Sequence, residues 1–239
     1  MRRFFALLVF LAACDVTVDA PSSAPVQAAQ PAASGPKMSY SQAASAFARV
    51  QRRVEPTAEK SCRDINQGQV NCDFKIQISK DRDAPPNAYQ SLDKSGRPLI
   101  TFTPAMLTTF RNADEIAFVM GHEAAHHIRG HLARQSRDAA IGAILGTALV
   151  AAAGGSANDI SAAQDLGAFV GGRSYSKSYE LEADSLGTVI TDAAGYSPRR
   201  GVEYFYGLPD PGNRFLGTHP PNNSRISVVQ NTIKQYNLD

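Results

Sequence analysis

The run His122-Glu123-Ala124-Ala125-His126 restricts this chain more than any other stretch, because its chemistry requires a helix. A helix advances about 100° per residue, so His122 and His126 fall about 40° apart on one face, one turn apart along the axis. Imidazole nitrogens placed in this way reach a single metal ion. Glu123, beside them, is positioned to take a proton from a metal-activated water. A catalytic zinc takes three protein ligands and keeps one open position. The rest of the chain must therefore supply a third donor and a scaffold that delivers it.

The 239 residues are 43% apolar and 19% charged, enough for one domain with a full core plus extensions. A net charge of +2 with scattered basic residues gives no reason to expect a nucleic-acid partner. At the start, Met1-Arg2-Arg3 is basic and Phe4 through Ala12 is apolar, too short to cross a bilayer but the length of a secretory signal. Leu11-Ala12-Ala13-Cys14 resembles a bacterial lipobox, in which the cysteine becomes the lipidated first residue; cleavage as an ordinary signal near Ala13 is the alternative. The expected organisation is a lipoprotein-type signal peptide over 1–13, a disordered tether over 14–38 rich in Ala, Pro, Ser and Gln, and a folded domain over 39–239. Lipid on Cys14 anchors the domain on the periplasmic side of the cell envelope. The membrane is the inner one if Asp15 acts as a retention signal, and otherwise the outer one. In such an exported chain Cys62 and Cys72 suggest a disulfide, since no further cysteine or nearby histidine completes a zinc set.

Helical spacing of Tyr40, Ala44, Phe47, Val50 and Val54 predicts a first helix stopped by Pro56, with a shorter helix carrying Cys62. Strict alternation from Val70 to Ser79 predicts a half-buried strand with Cys72 on its inner face. Asn87 to Leu92 and Pro98 to Thr103 predict two more strands around a Lys94–Arg97 turn, and Pro104 opens a short helix. Asn112 or Asp114 caps the long helix that holds the histidines. From Ala139 to Asn158 no residue is charged. A membrane span fits that length, but Ala and Gly contribute little transfer energy and Gly154-Gly155-Ser156 breaks the run, so a buried hairpin or a flap over the site is expected.

The candidates for the third donor are Glu180, Glu182, Asp184, His219, His127 and His131. On a continuous helix His131 faces roughly opposite His122, and His127 lies about 140° from it, so both are expected in supporting roles. Asn87-Ala88, Asn112-Ala113-Asp114-Glu115 leading to His122-Glu123-x-x-His126, Glu180-x-x-x-Asp184 with Ala183, Gly195-Tyr196-Ser197-Pro198, Thr218-His219-Pro220-Pro221 and Arg225 follow in one order. Together they resemble the HtpX-like zinc metallopeptidases, gluzincins related to the CAAX prenyl proteases, over about residues 40 to 235. Those family members that are integral to membranes have clear transmembrane helices, and some periplasmic ones carry C-terminal helical repeats. Neither is evident here, so the chain is most similar to the small envelope lipoproteins of the family.

The resemblance implies an α+β, mainly helical, zincin-like domain with a small β-sheet and two ligand-bearing helices. It implies one zinc ion per chain, with His122, His126 and Glu180 as ligands and Glu123 as the catalytic base. Asp184 is then a proton donor or a residue that holds a ligand histidine. His219 polarises the substrate carbonyl, caps the metal, or is only a turn residue. Arg225 steadies the oxyanion or the Glu-rich helix, or forms a surface salt bridge, while Glu182 lies on a solvated face. The expected activity is endoproteolysis of misfolded or misassembled envelope polypeptides, held as an added strand along Pro98–Thr103. The alternative is a zinc-binding chaperone or assembly factor with little proteolysis, against which Glu123 argues.

Overall fold

The computed structural model describes residues 35–174, 176–213 and 219–239. The expected signal peptide, Cys14, Thr218 and the tether up to residue 34 lie outside them. The chain adopts the expected α+β, mainly helical architecture with one small sheet.

Ser39 opens helix α1 (Tyr40–Asn66) with a capping box, its side chain accepting from Gln42 N–H while the Gln42 side chain accepts from Ser39 N–H. The helix does not stop at Pro56. That residue removes one N–H donor and crowds the preceding turn, but the buried stripe continues through Val54, Ala58 and Cys62. Thr57 Oγ1 also donates to the Arg53 carbonyl at 2.8 Å. Burial on both sides outweighs one lost hydrogen bond, so the two expected helices are one. Cys62 and Cys72 form a disulfide with Cα atoms 5.7 Å apart, tying the end of α1 to the segment that enters the sheet.

That segment becomes strand β1 only at Lys75–Ile78. Cys72 and Phe74 keep the alternating burial expected of them, but Val70 is exposed and no ladder forms before Lys75. Lys75 pairs with Leu99, and the residue before Leu99 is Pro98, which has no N–H to extend the ladder. Strands β2 (Ala88–Leu92) and β3 (Pro98–Phe102) form close to the expected positions. The order is β1-β3-β2, with β3 parallel to β1 and antiparallel to β2. Strand β3 is therefore central, and both its edges are already paired.

Pro104 opens the short α2 (Pro104–Leu107), and Asn112 caps α3 (Ala113–Ile128) by accepting from Glu115 N–H at 2.9 Å. Helix α3 is the core helix, packed between α1, the sheet and α6 (Ser176–Ala193). Phe102 of β3 meets Phe47 of α1 edge to face at 5.2 Å. Helices α4 (His131–Ala152) and α5 (Ala157–Ser174) form an antiparallel finger. Their backbones interlock where Gly142 meets Gly167 and Gly146 meets Ala163, contacts that leave no room for a Cβ. The expected buried hairpin is thus a hairpin but not a buried one. Among the described residues none from 139 to 172 is buried. Among the described residues no helix is long and apolar enough to cross a membrane. The chain ends with α7 (Pro198–Gly201), a 3₁₀ turn (Val202–Gly207) and α8 (Asn222–Tyr236).

The disulfide closes a loop of sequence separation 10. Reducing it, or replacing both cysteines by serine, is expected to lower unfolding free energy by about 2–3 kcal/mol. Urea denaturation with and without reductant measures this, and an unchanged midpoint would refute it.

Candidate metal centre

Three donors converge where α3 passes α6. His122 Nε2 and His126 Nε2 are 3.0 Å apart, Glu180 Oε1 is 3.3 Å from His126 Nε2, and Glu180 Oε2 is 3.6 Å from His122 Nε2. Ligands about 2.05 Å from a tetrahedral zinc lie about 3.3 Å from one another, so these separations are the edges of such a polyhedron. This is the one group of three or more metal-capable side chains within ligand distance among the described residues. Chemistry and spacing both fit the ion that the sequence leads one to expect.

The convergence depends on how closely α3 and α6 cross. A Cβ on Gly121 would sit 2.9 Å from the Gly187 carbonyl oxygen, and one on Gly187 would sit 2.8 Å from the His122 backbone nitrogen. Two glycines thus let the backbones touch beside the first histidine. Glu180 and Asp184, one turn apart on α6, then face it.

Electrostatics ask for a cation at this point. Burial opposes protonation of His122, but hydrogen bonds to Asp184 and Glu180 outweigh burial and raise its pKa to about 9. Burial likewise works to raise Glu180, yet its hydrogen bonds to His122, His126 and His219 hold the carboxyl well below the usual carboxylate range. Asp184 is fully buried; Arg225 and His122 overcome desolvation and keep it ionised at lower pH than a free aspartate. Asp184 Oδ1 lies 3.0 Å from His122 Nδ1, the nitrogen turned away from the donor cluster. Arg225 grips both Asp184 oxygens, at 2.7 and 2.6 Å, and its guanidinium lies 4.2 Å over the Phe205 ring. Arg225 is therefore not a surface salt bridge: with its side chain only 11% exposed, it packs against the Glu-rich helix and fixes the carboxylate that orients His122.

Glu123 lines the same cleft as the three donors, a cavity of about 450 Å³ whose walls include Tyr204, Phe205 and residues 86–90. Burial raises its pKa, while the His122 and His126 imidazoles pull it back. A carboxyl tuned upward in this way is suited to accept and return a proton. His219 reaches the cluster from the other side, its Nδ1 3.2 Å from Glu180 Oε2, although the ring is exposed.

Three expectations change. His131 does not face away from His122, because the helix breaks at Gly130, whose φ is +66°. The turn brings His131 Nδ1 to 2.9 Å from His126 Nδ1. Glu182 is partly solvated, as expected, but it is not idle: it binds Arg134 with both oxygens, at 2.7 and 3.1 Å, and lies 3.4 Å from His131 Nε2. Tyr179 completes this layer, stacked on His131 with centroids 4.9 Å apart and bonded through its hydroxyl to Asp138. Tyr179, Arg134 and Asp138 carry no motif of their own, and sequence reasoning missed them. His127 is structural, its Nε2 2.7 Å from the Asn71 carbonyl. Residues 139–155 line none of the cleft, so the expected flap over the site is replaced by a finger beside it.

Residues 44–233 match the sequence profile of peptidase family M48. The mitochondrial metalloendopeptidase OMA1 of Saccharomyces cerevisiae is 29% identical over 175 residues, 69% of this chain and 48% of that protein. The beta-barrel assembly-enhancing protease of Yersinia pestis is 31% identical over 137 residues, 52% of this chain and 28% of that protein. The chain spans half or less of the length of these curated relatives.

Replacing Gly187 by alanine forces α6 away from His122. Stability is expected to fall by about 1–3 kcal/mol, and zinc affinity by about 10- to 100-fold. Chelator competition and chemical denaturation read the two effects; unchanged zinc affinity would show that the crossing does not set the donor geometry.

Proposed function

The chain belongs to peptidase family M48, and from that premise we propose that it is a zinc-dependent endopeptidase of the bacterial cell envelope. The observation that carries this reading is the convergence of His122, His126 and Glu180 at tetrahedral spacing, with Glu123 in the same cleft. A zinc ion held there supplies Lewis acidity to a water molecule and to the scissile carbonyl. Glu123 takes a proton from the attacking water and returns it to the leaving amine. Asp184 holds His122 through Nδ1 so that Nε2 faces the ion, and Arg225 in turn holds Asp184. His219, whose Nδ1 lies 3.2 Å from Glu180 Oε2, would stand beside the bound metal, where it could donate to the substrate carbonyl or cap the ion.

The polypeptide is held on β2, not on β3 as the sequence suggests, because β3 is flanked on both sides. Asn87 pairs with Thr103 through a backbone hydrogen bond, so the alternation of an antiparallel ladder points the N–H and C=O of Ala88 and Gln90 to the free edge. Both residues line the cleft. An extended substrate adds there as a further strand beside the donors.

Envelope location and substrate class rest on two supports. The Yersinia relative is named a beta-barrel assembly-enhancing protease, and Leu11-Ala12-Ala13-Cys14 has the form of a lipidation signal. On this reading residues 1–13 are removed and lipid on Cys14 anchors the chain. Residues 14–38 are the tether, and 39–239 act on misfolded or misassembled envelope proteins.

The test compares wild type with Glu123→Gln on an unfolded polypeptide, with zinc measured in both. The variant is expected to keep its zinc and lose about 10²- to 10⁴-fold in turnover. Equal cleavage by both would overturn the mechanism, and zinc without cleavage in wild type would favour a chaperone. Ala88→Pro, which removes one outward N–H, is expected to lower kcat/KM by about 3- to 10-fold at unchanged zinc content. An unaltered value would remove β2 as the cradle.

A further inference from the structure

His131 stands among groups that use both of its ring nitrogens. It is 4% exposed, and the turn at Gly130 sets its Nδ1 2.9 Å from Nδ1 of His126. Its other nitrogen, Nε2, lies 3.4 Å from Glu182 Oε2. Arg134 holds that carboxylate through two hydrogen bonds. The plane of the ring is fixed as well. Tyr179 stacks on it at 16°, and the Arg134 guanidinium lies 4.2 Å over the far face of the same group of rings, at Tyr179. The Tyr179 hydroxyl donates to Asp138. His131, Arg134 and Asp138 recur at helical spacing along α4, and Tyr179 and Glu182 do so along α6. Two helices thus present one ladder of polar contacts, and its last rung is His126.

On the reading of His122, His126 and Glu180 as zinc ligands, on which this rests, we propose that His131 is a positioning residue for His126. Its Nδ1 accepts the His126 Nδ1–H and so aims the lone pair of His126 Nε2 at the other two donors. A neutral imidazole that gives its Nε2 lone pair to a metal carries its proton on Nδ1. Two N–H groups cannot face each other at 2.9 Å, so the facing nitrogen of His131 is the acceptor. The single proton of His131 then sits on Nε2, on the side of Glu182.

The carboxylate end of the ladder sets this order. In the opposite arrangement His131 would turn its Nε2 lone pair toward Glu182, and two acceptors would confront each other. Glu182, held by Arg134, therefore selects the tautomer of His131, which in turn selects that of His126. A ligand histidine needs a partner on its far nitrogen. For His122 that partner is a carboxylate in direct contact, Asp184. For His126 the carboxylate stands one ring further away. Packing alone leaves these contacts unexplained. A ring buried only to fill space against Tyr179 requires no partner at either edge, and a phenyl group would fill the same place.

Two variants separate the roles. His131→Phe keeps the ring and its stack on Tyr179 but has no acceptor. His131→Asn loses the ring and keeps an oxygen at the place of Nδ1. Zinc affinity, measured by chelator competition, is expected to fall about 10- to 100-fold in His131→Phe. In His131→Asn it should stay within about 5-fold of wild type. A packing role predicts the reverse order. Circular dichroism of the metal-free proteins shows whether each variant folds. Nitrogen-15 NMR of the histidine rings in zinc-loaded wild type needs no variant: His131 should carry its proton on Nε2 and leave Nδ1 bare, and His126 should carry its proton on Nδ1. A folded His131→Phe that binds zinc as tightly as His131→Asn, or a His131 proton on Nδ1, overturns the proposal. Wild type that binds no zinc would overturn the metal reading and this proposal together, whereas zinc binding indifferent to His131 would overturn this proposal alone.

Discussion

Two helices deliver three donors to one point only if their backbones come closer than side chains ordinarily allow, and the contact between Gly121 and Gly187 provides that approach. Everything at the site follows from it. Helix α3 contributes an i, i+4 pair of imidazoles, and α6 contributes an i, i+4 pair of carboxylates. With larger residues at the crossing, Glu180 would stand beyond reach of His126, and Asp184 beyond reach of His122. The hydroxyl of Thr191 bonded to the Gly187 carbonyl at 2.7 Å adds a polar contact on the same turn, so the crossing is polar as well as close.

Around the donors stand two layers of support with different characters. On the His122 side a buried aspartate and a largely covered arginine form a bidentate pair, capped by the Phe205 ring. Removing one partner of such a pair leaves an uncompensated charge, so the arrangement is rigid. On the His126 side the contacts pass through His131 to the buried Tyr179 and to Glu182 and Arg134, which are partly exposed, and they reach the root of the finger. One histidine is therefore held from the core, and the other from an element that projects into solvent.

The features readable from sequence were those with a short period or a fixed spacing. The helix of His122 and His126, the strands near 88–92 and 98–102, and the Asn112 cap follow from local patterns. Features decided by tertiary contact were not readable. Pro56 sits inside a helix because Ala58 and Cys62 are buried beyond it. Strand β3 is central because β1 pairs with it across an intervening strand, and no local signal in Pro98–Phe102 distinguishes an edge from a centre. A single left-handed glycine, Gly130, resets the helical phase and turns His131 toward His126. Glu182 has the wheel position of a solvent-facing residue, yet Arg134, 48 positions earlier, comes to meet it.

The finger leaves and rejoins the domain at nearly one place, since the Asp138 carbonyl abuts Gly171. The chain between His126 and Glu180 therefore makes a closed excursion. Its net displacement at the root is fixed however far it travels outward. Whole turns added to or taken from both limbs would leave the donors where they are, so the reach of this projection is an adjustable length that chemistry does not constrain. The molecule thus separates two variables that most folds bind together: how the three donors are brought to one point, and how far from that point the domain extends.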